Sequence, residues 1–264
     1  MNARHQAAHV DPAGVPADRQ HPEAEAPPHE LAAVARLVEG IGEFSPAAFS
    51  CSFGLEDMVI LDLLARHRLA VEVFTLDTGR LHEETHALIA EAQSRYALPI
   101  RVLFPQAASL EALIRRDGPN AFYSSIEARK ACCAVRKVEP LGRALAGKQL
   151  WITGLRRGQA VTRTELPVLA FDDGHALQKL NPLADWSEAQ VLDYIARHQV
   201  PVNALHARGY PSIGCAPCAR AVAPGEDARA GRWWWETPEQ KECGLHVGPD
   251  GRLVRAAGAP ASAA

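Results

Sequence analysis

The stretch Ala47-Ala48-Phe49-Ser50-Cys51-Ser52-Phe53-Gly54-Leu55-Glu56-Asp57 decides the fold. It is a short apolar run that stops at a glycine, and helical spacing of Met58, Leu61, Leu64 and Ala65 follows at once. A strand, a tight loop and a helix account for that order. Upstream, Leu31, Val34, Leu37, Val38 and Ile41 recur with a helical period. Downstream, residues 71–76 read as a buried strand ending at Asp77-Thr78-Gly79. A helix over 81–96, a strand over 100–104, a helix over 109–116, a helical pattern over 136–146 and a strand over 149–153 continue the alternation. Strands alternating with helices predict an α/β fold, a parallel sheet flanked by helices on both faces. Past Phe171 the sheet signal fades, and Ser187 is placed to N-cap a helix running to about His198. Ligands of such sheets bind at the carboxyl ends of the strands, where segments 50–57, 77–80 and 154–158 gather.

The chain has 264 residues, a prior for one or two domains. Residues 1–29 are rich in Ala, Pro, His and Glu without period and read as a disordered tail. Residues 30–225 form the α/β body, and residues 226–264 a flexible C-terminal segment rich in Gly, Pro, Arg and Trp with a frayed end. The formal charge of −3 leaves no cationic excess to grip nucleic acid phosphates in bulk. No apolar run approaches the roughly 18 residues of a membrane helix, and no secretory signal opens the chain. A cytoplasmic protein is the expectation, and there cysteines serve metals or catalysis more often than disulfides.

Four of the six cysteines form two tight pairs, Cys132-Cys133 and Cys215-Ala216-Pro217-Cys218. Two pairs suggest one metal site closed by the fold, either a [4Fe-4S] cluster or zinc. Adjacent cysteines converge poorly on one tetrahedral zinc, whereas in a cubane each thiolate takes a different iron, so the spacing favours the cluster. A buried vicinal pair beside an unrelated redox pair is the alternative without metal. Cys51, inside an apolar strand, reads as a small core residue. Cys243 lies in Lys241-Glu242-Cys243-Gly244-Leu245-His246. A neighbouring lysine and histidine favour its thiolate and make it a candidate nucleophile, with an idle surface thiol as the alternative.

Several motifs in order resemble the assimilatory adenosine 5′-phosphosulfate reductases that carry an iron-sulfur cluster, within the adenine nucleotide α-hydrolase-like fold. They are Ser52–Asp57, Leu76–Arg80, Arg129–Leu141, Gly154–Arg157, Gly214–Cys218, Gly231–Glu236 and Lys241–His246. The resemblance implies reduction of adenosine phosphosulfate to sulfite and AMP by thioredoxin, without flavin or nicotinamide. It makes Cys243 the nucleophile, with His246 orienting it or contacting substrate, and Cys132, Cys133, Cys215 and Cys218 the ligands of one cluster. Its substrate-binding set is Ser52, Phe53, Gly54, Asp77, Thr78, Gly79, Arg80, Lys137, Arg156, Arg157, Arg229 and Arg232. The loop at 52–57 resembles a modified pyrophosphate loop with Phe53 where glycine is usual, which weakens any case for ATP pyrophosphate chemistry or a sulfurtransferase. By resemblance, the branch dedicated to the 3′-phosphorylated substrate generally lacks both cysteine pairs, so the substrate without that phosphate is favoured. A dual-substrate enzyme, a homo-oligomer and a zinc-bound interaction protein stay open.

Overall fold

A computed structural model describes residues 26–159 and 163–236. Seven α-helices and six strands are named in chain order: α1 Pro28–Glu43, β1 Ala47–Ser50, α2 Leu55–Arg66, β2 Glu72–Leu76, α3 Glu83–Tyr96, β3 Ile100–Leu103, α4 Ala107–Asp117, α5 Ile126–Cys133, α6 Glu139–Leu145, β4 Leu150–Ile152, β5 Leu169–Asp172, β6 Leu177–Leu180 and α7 Glu188–His198. The strands form one sheet in the order β3-β2-β1-β4-β6-β5. Five run parallel, and only the edge strand β5 is antiparallel to its neighbour β6. This is the expected fold class, with one correction at the edge.

Alternation along β1 divides the core. Ala47 and Phe49 face the larger apolar layer, with Met58, Leu61, Ile152, Leu180 and Tyr194. Ala48 faces the other, with Phe74, Leu141, Leu145 and Trp151. Helices therefore cover both faces, as a parallel sheet requires. Gly40 lets α1 press close to the sheet: a Cβ there would lie 2.9 Å from Leu180 Cδ2. Ser187 caps α7 through a reciprocal pair with Gln190, its hydroxyl accepting from the Gln190 N–H at 3.2 Å.

The expectation that the sheet fades past Phe171 fails. β5 and β6 form a hairpin whose sequence hid it. Leu169 and Phe171 are exposed on the edge strand, and β6 contains Lys179, whose buried ammonium lies 3.7 Å from Asp172 and 4.4 Å from the Trp151 ring centroid. Helix α1 begins at Pro28, slightly inside the stretch read as tail, with a proline in its first turn, where a missing N–H costs nothing. The earlier part of that tail lies outside the described residues. The pattern read as one helix over 136–146 is α6 preceded by a π-helical turn, Ala134–Val138, that joins it to α5. Residues 226–236, read as the start of a flexible segment, are laid onto the body, with Trp233 1% exposed.

Candidate active site

The strand order reverses beside β1, since β2 and β3 lie on one side and β4 on the other. Such a switch point opens a crevice at the carboxyl ends of the strands. A cavity of about 290 Å³ lies there, lined by the loops after β1, β2 and β4, by the start of α2 and by segment 211–215.

The loop after β1 forms one wall. Phe53 has φ 63°, in the left-handed region that glycine favours, so the chain keeps the glycine conformation without the glycine. That conformation costs about 1–2 kcal/mol, and burying the phenyl ring returns roughly 1.5–3 kcal/mol. Phe53 is 1% exposed and sits in the core, away from the cavity. Ser52 and Gly54 do line it. The Ser52 N–H and hydroxyl both donate to Asp57 Oδ2, each at 2.6 Å. Burial raises the Asp57 carboxyl to about 6, against the Ser52 bonds, with nearby Glu56 adding to the rise and a backbone bond from Gly154 opposing it.

The loop after β4 forms the opposite wall. Thr153 donates to Asn181 at 2.5 Å. Arg156 is buried, its Nε 2.7 Å from Glu56 Oε1 and its Nη1 donating to the Trp186 carbonyl at 3.2 Å. Arg163 lines the cavity and donates to Gln159 at 2.7 Å. Arg157, expected in the site, instead donates to the Leu166 carbonyl at 2.8 Å and does not line the cavity. Arg157 opens a short 3-10 turn, Arg157–Gln159, and its guanidinium is spent on that carbonyl.

From segment 77–80 only Thr78 reaches the main cavity. Asp77 is spent locally, accepting from the Gly79 N–H at 2.8 Å and lying 3.0 Å from His86 Nε2. The chain turns at Gly79, φ 68°, so Arg80 heads elsewhere: it covers the Phe122 ring at 4.8 Å, donates to the Pro119 carbonyl and lines a second, smaller cavity.

That second cavity, about 20 Å³, is lined by Cys132, Cys133, Cys215 and Cys218, so the fold brings the two pairs together. None of the five described cysteines is in a disulfide, and Cys51 is buried, as expected of a core residue. Among the described residues no three His, Cys, Asp or Glu side chains converge as a single metal ion demands. Cys132 and Cys133 end α5, which Ser125 caps through the Ala128 N–H at 3.1 Å. The π-helical turn after them directs Arg136 to the Thr78 carbonyl at 2.5 Å. Cys215 Sγ lies 3.2 Å from Thr78 Oγ1. Burial opposes ionisation of Cys215, but Lys137, Thr78, Arg232 and Arg136 outweigh it and hold its thiol below the usual range. Burial, with Cys215 beside it, pushes Cys218 up to about 12.

Lys137, Cys215 and Trp233 line both cavities and join them. Arg229 and Arg232 line the larger one, and Arg232 acts on Cys215. Arg232 is held by the Ser212 hydroxyl at 3.2 Å, the Ile213 carbonyl at 3.0 Å and the Trp233 ring at 4.8 Å. Trp233 also carries the Arg129 guanidinium at 4.7 Å, and Arg129 pairs with Glu236 at 2.7 Å. Cys243 and His246 lie outside the described residues. Sequence reasoning assigned no role to Asp57, Glu56, Arg163 or Arg129. Glu56 and Asp57 lie within the 52–57 motif and Arg129 opens the 129–141 motif, and only that membership could have drawn attention to them.

A doubly wound, mostly parallel sheet whose switch point opens onto a loop of modified pyrophosphate type defines an adenine nucleotide α-hydrolase-like protein. The phosphoadenosine phosphosulfate reductase domain family matches residues 46–221, and the chain belongs to that family. The adenosine 5′-phosphosulfate reductase of Allochromatium vinosum is 52% identical over 220 residues, 83% of this chain and 86% of that protein. The enzyme of the same name from Agrobacterium fabrum is 51% identical over 218 residues, 83% of each chain. Among solved structures, the phosphoadenylyl-sulfate reductase of Candida auris in its phosphate complex superposes with a TM-score of 0.63 at 29% identity, covering 73% of this chain and 91% of that one. An FMN adenylyltransferase from Candida glabrata, with FAD and inorganic pyrophosphate, shares the fold alone, at a TM-score of 0.52 and 16% identity over 86% of this chain and 76% of that one. No described helix is long and apolar enough to cross a membrane.

Proposed function

We propose that this chain reduces adenosine 5′-phosphosulfate to sulfite and AMP in the cytoplasm, with thioredoxin as the dithiol donor, in assimilatory sulfate reduction. The observation that carries the reading is the joining of a nucleotide-sized cleft to a four-thiol cavity through Lys137 and Cys215. The relatives named adenosine 5′-phosphosulfate reductase support the choice of substrate.

The nucleoside enters at the switch point, and the anionic phosphosulfate lies toward Lys137, Arg229 and Arg232. The Cys243 thiolate attacks the sulfur. The bond from sulfur to the bridging oxygen breaks, its electron pair leaves with AMP, and S-sulfocysteine forms on Cys243. Lys137 and the two arginines stabilise the charge that builds on the leaving phosphate, and guanidinium forks suit phosphate and sulfonate oxygens. A thioredoxin thiolate then attacks Cys243 Sγ and expels sulfite with its electron pair. The donor's second thiolate resolves the mixed disulfide, so the donor is oxidised by two electrons and the Cys243 thiolate is regenerated. His246 orients Cys243.

The donor set suits a [4Fe-4S] cluster: four cysteines outside any disulfide line one cavity, and the adjacent pair Cys132-Cys133 suits the separate irons of a cubane better than one tetrahedral zinc. Cys132, Cys133, Cys215 and Cys218 would hold it, and when bound it supplies fixed charge beside Lys137 and ties α5 to segment 215–218, with no electron passing through it.

The test is intact mass after anaerobic incubation with adenosine phosphosulfate and no thiol. A sulfonate adduct on Cys243 that reduced thioredoxin removes is expected. No adduct, or one that persists in Cys243→Ser, refutes the reading. The same assay with the 3′-phosphorylated nucleotide settles substrate preference.

A further inference from the structure

The loop at 52–57 has the shape of an anion-binding loop, yet it already holds an anion of its own. Asp57 lies in the first turn of α2, and its Oδ2 accepts from the Ser52 N–H and Ser52 hydroxyl at 2.6 Å each. The Gly154 backbone N–H reaches the same carboxylate from the opposite wall. The fit at Gly154 is close enough that a Cβ there would overlap Asp57 Oδ1. Three donors and the positive end of α2 are what a phosphate group seeks at such a loop. Here they converge on a carboxylate that is 7% exposed and lines the nucleotide cleft.

The neighbouring charges are arranged in the same sense. Glu56 stands beside Asp57 and takes up Arg156 at 2.7 Å, so this end of the cleft carries its own acids. Lys137 and Arg232 lie at the Cys215 end, where both act on its thiol, and Arg229 lines the same cleft. Phe53 keeps its left-handed backbone, so the loop has retained its shape while its seat has been filled.

We infer that Asp57 is a specificity-determining residue: its carboxylate occupies the seat that a pyrophosphate group would take, and so directs the anionic tail of a bound nucleotide to the cysteine end of the cleft. The inference rests on the reading that the cleft takes an adenine nucleotide, but not on the reduction chemistry. It also makes Asp57 the link between the loops after β1 and β4, the two walls of the cleft.

Inorganic pyrophosphate titrated calorimetrically into AMP-saturated protein tests this. Asp57→Ser and Asp57→Ala both empty the seat, and each is expected to bind pyrophosphate at least about tenfold more tightly than wild type, roughly 1.4 kcal/mol. Asp57→Asn keeps the seat filled with a neutral, near-isosteric amide and is expected to match wild type, which separates occupancy from charge repulsion. Two emptied variants guard against one failing to fold, as judged by circular dichroism. The wild type itself is expected to bind no tighter than about 1 mM. Gains below tenfold in the emptied variants, an equal gain in Asp57→Asn, or wild-type binding far tighter than that would each overturn the inference. A chain that fails to make sulfite but gains pyrophosphate binding on Asp57→Ser would refute the proposed reduction and leave this inference standing.

Discussion

Replacing Glu236 with alanine tests how residues 226–236 are fastened. Arg129 Nε meets Glu236 Oε1 at 2.7 Å and Nη2 meets Oε2 at 2.8 Å, a bidentate pair whose side chains are 1% and 3% exposed. Exposed pairs contribute about 0–1 kcal/mol, but removing one partner of a buried pair costs about 3–5 kcal/mol, because the remaining charge stays out of water. In a chain of this size 1 kcal/mol moves Tm by about 2–4 °C, so Glu236→Ala is expected to lower Tm by roughly 6–20 °C if the segment unfolds with the body. If the segment lifts off first, the loss is capped by the undocking free energy and appears instead as faster tryptic cleavage at Arg229 and Arg232. Thermal melts and limited proteolysis on the same preparations read both outcomes. The double variant Arg129→Met with Glu236→Leu, which replaces the pair by apolar groups, is expected to recover most of the loss. The reasoning fails if Glu236→Ala melts within about 1 kcal/mol of wild type and is cut no faster, or if the double variant is merely the sum of its singles.

Two further outcomes follow from named contacts. Asp57 titrates near 6 in the folded chain against 3.8 ordinarily, so its stabilising contribution is full below about pH 4 and is lost as pH rises through 6. Relative to Asp57→Asn, wild type should lose about 2 kcal/mol between pH 4 and 7 by denaturant unfolding. The groups facing that carboxyl are Ser52, Glu56, Cys51 and the Gly154 N–H, and a difference flat with pH contradicts the assignment. Gly214→Ala would place a Cβ 2.5 Å from Arg232 Nη2 and 2.8 Å from its Cζ, forcing the guanidinium from its place. KM for adenosine phosphosulfate should rise about tenfold, the worth of a charge-assisted hydrogen bond, with Tm nearly unchanged. An unaltered KM would remove Arg232 from the substrate's neighbourhood.

What could be read in advance divides along physical lines. β1, its loop and α2 were legible because a contiguous apolar run, a glycine and a helical period lie side by side in the chain. The hairpin of β5 and β6 was not, because an edge strand exposes Leu169 and Phe171 while Lys179 is buried against Asp172 and Trp151. The pairing of the four cysteines was legible from their spacing, and the structure lines one cavity with them. Asp77 and Arg80 show the limit of reading a turn as a site: a turn beside a strand end leaves undetermined which cavity each side chain enters. The place of Asp57 depends on Gly154, far along the chain, and no local pattern reports it.

The π-helical turn at Ala134–Val138 has a consequence for how this chain tolerates changes in length. A turn closed from residue i to i+5 holds one residue more than its α-helical neighbours. Each residue advances an α-helix by about 100°, so deleting one of these five would rotate Cys132 and Cys133 by more than a quarter-turn against Leu141, Ala144 and Leu145. The first set lines the small cavity, and the second is buried beneath the sheet. A shortened chain would have to give up one of the two. The residue count between Cys133 and Leu141 is therefore fixed.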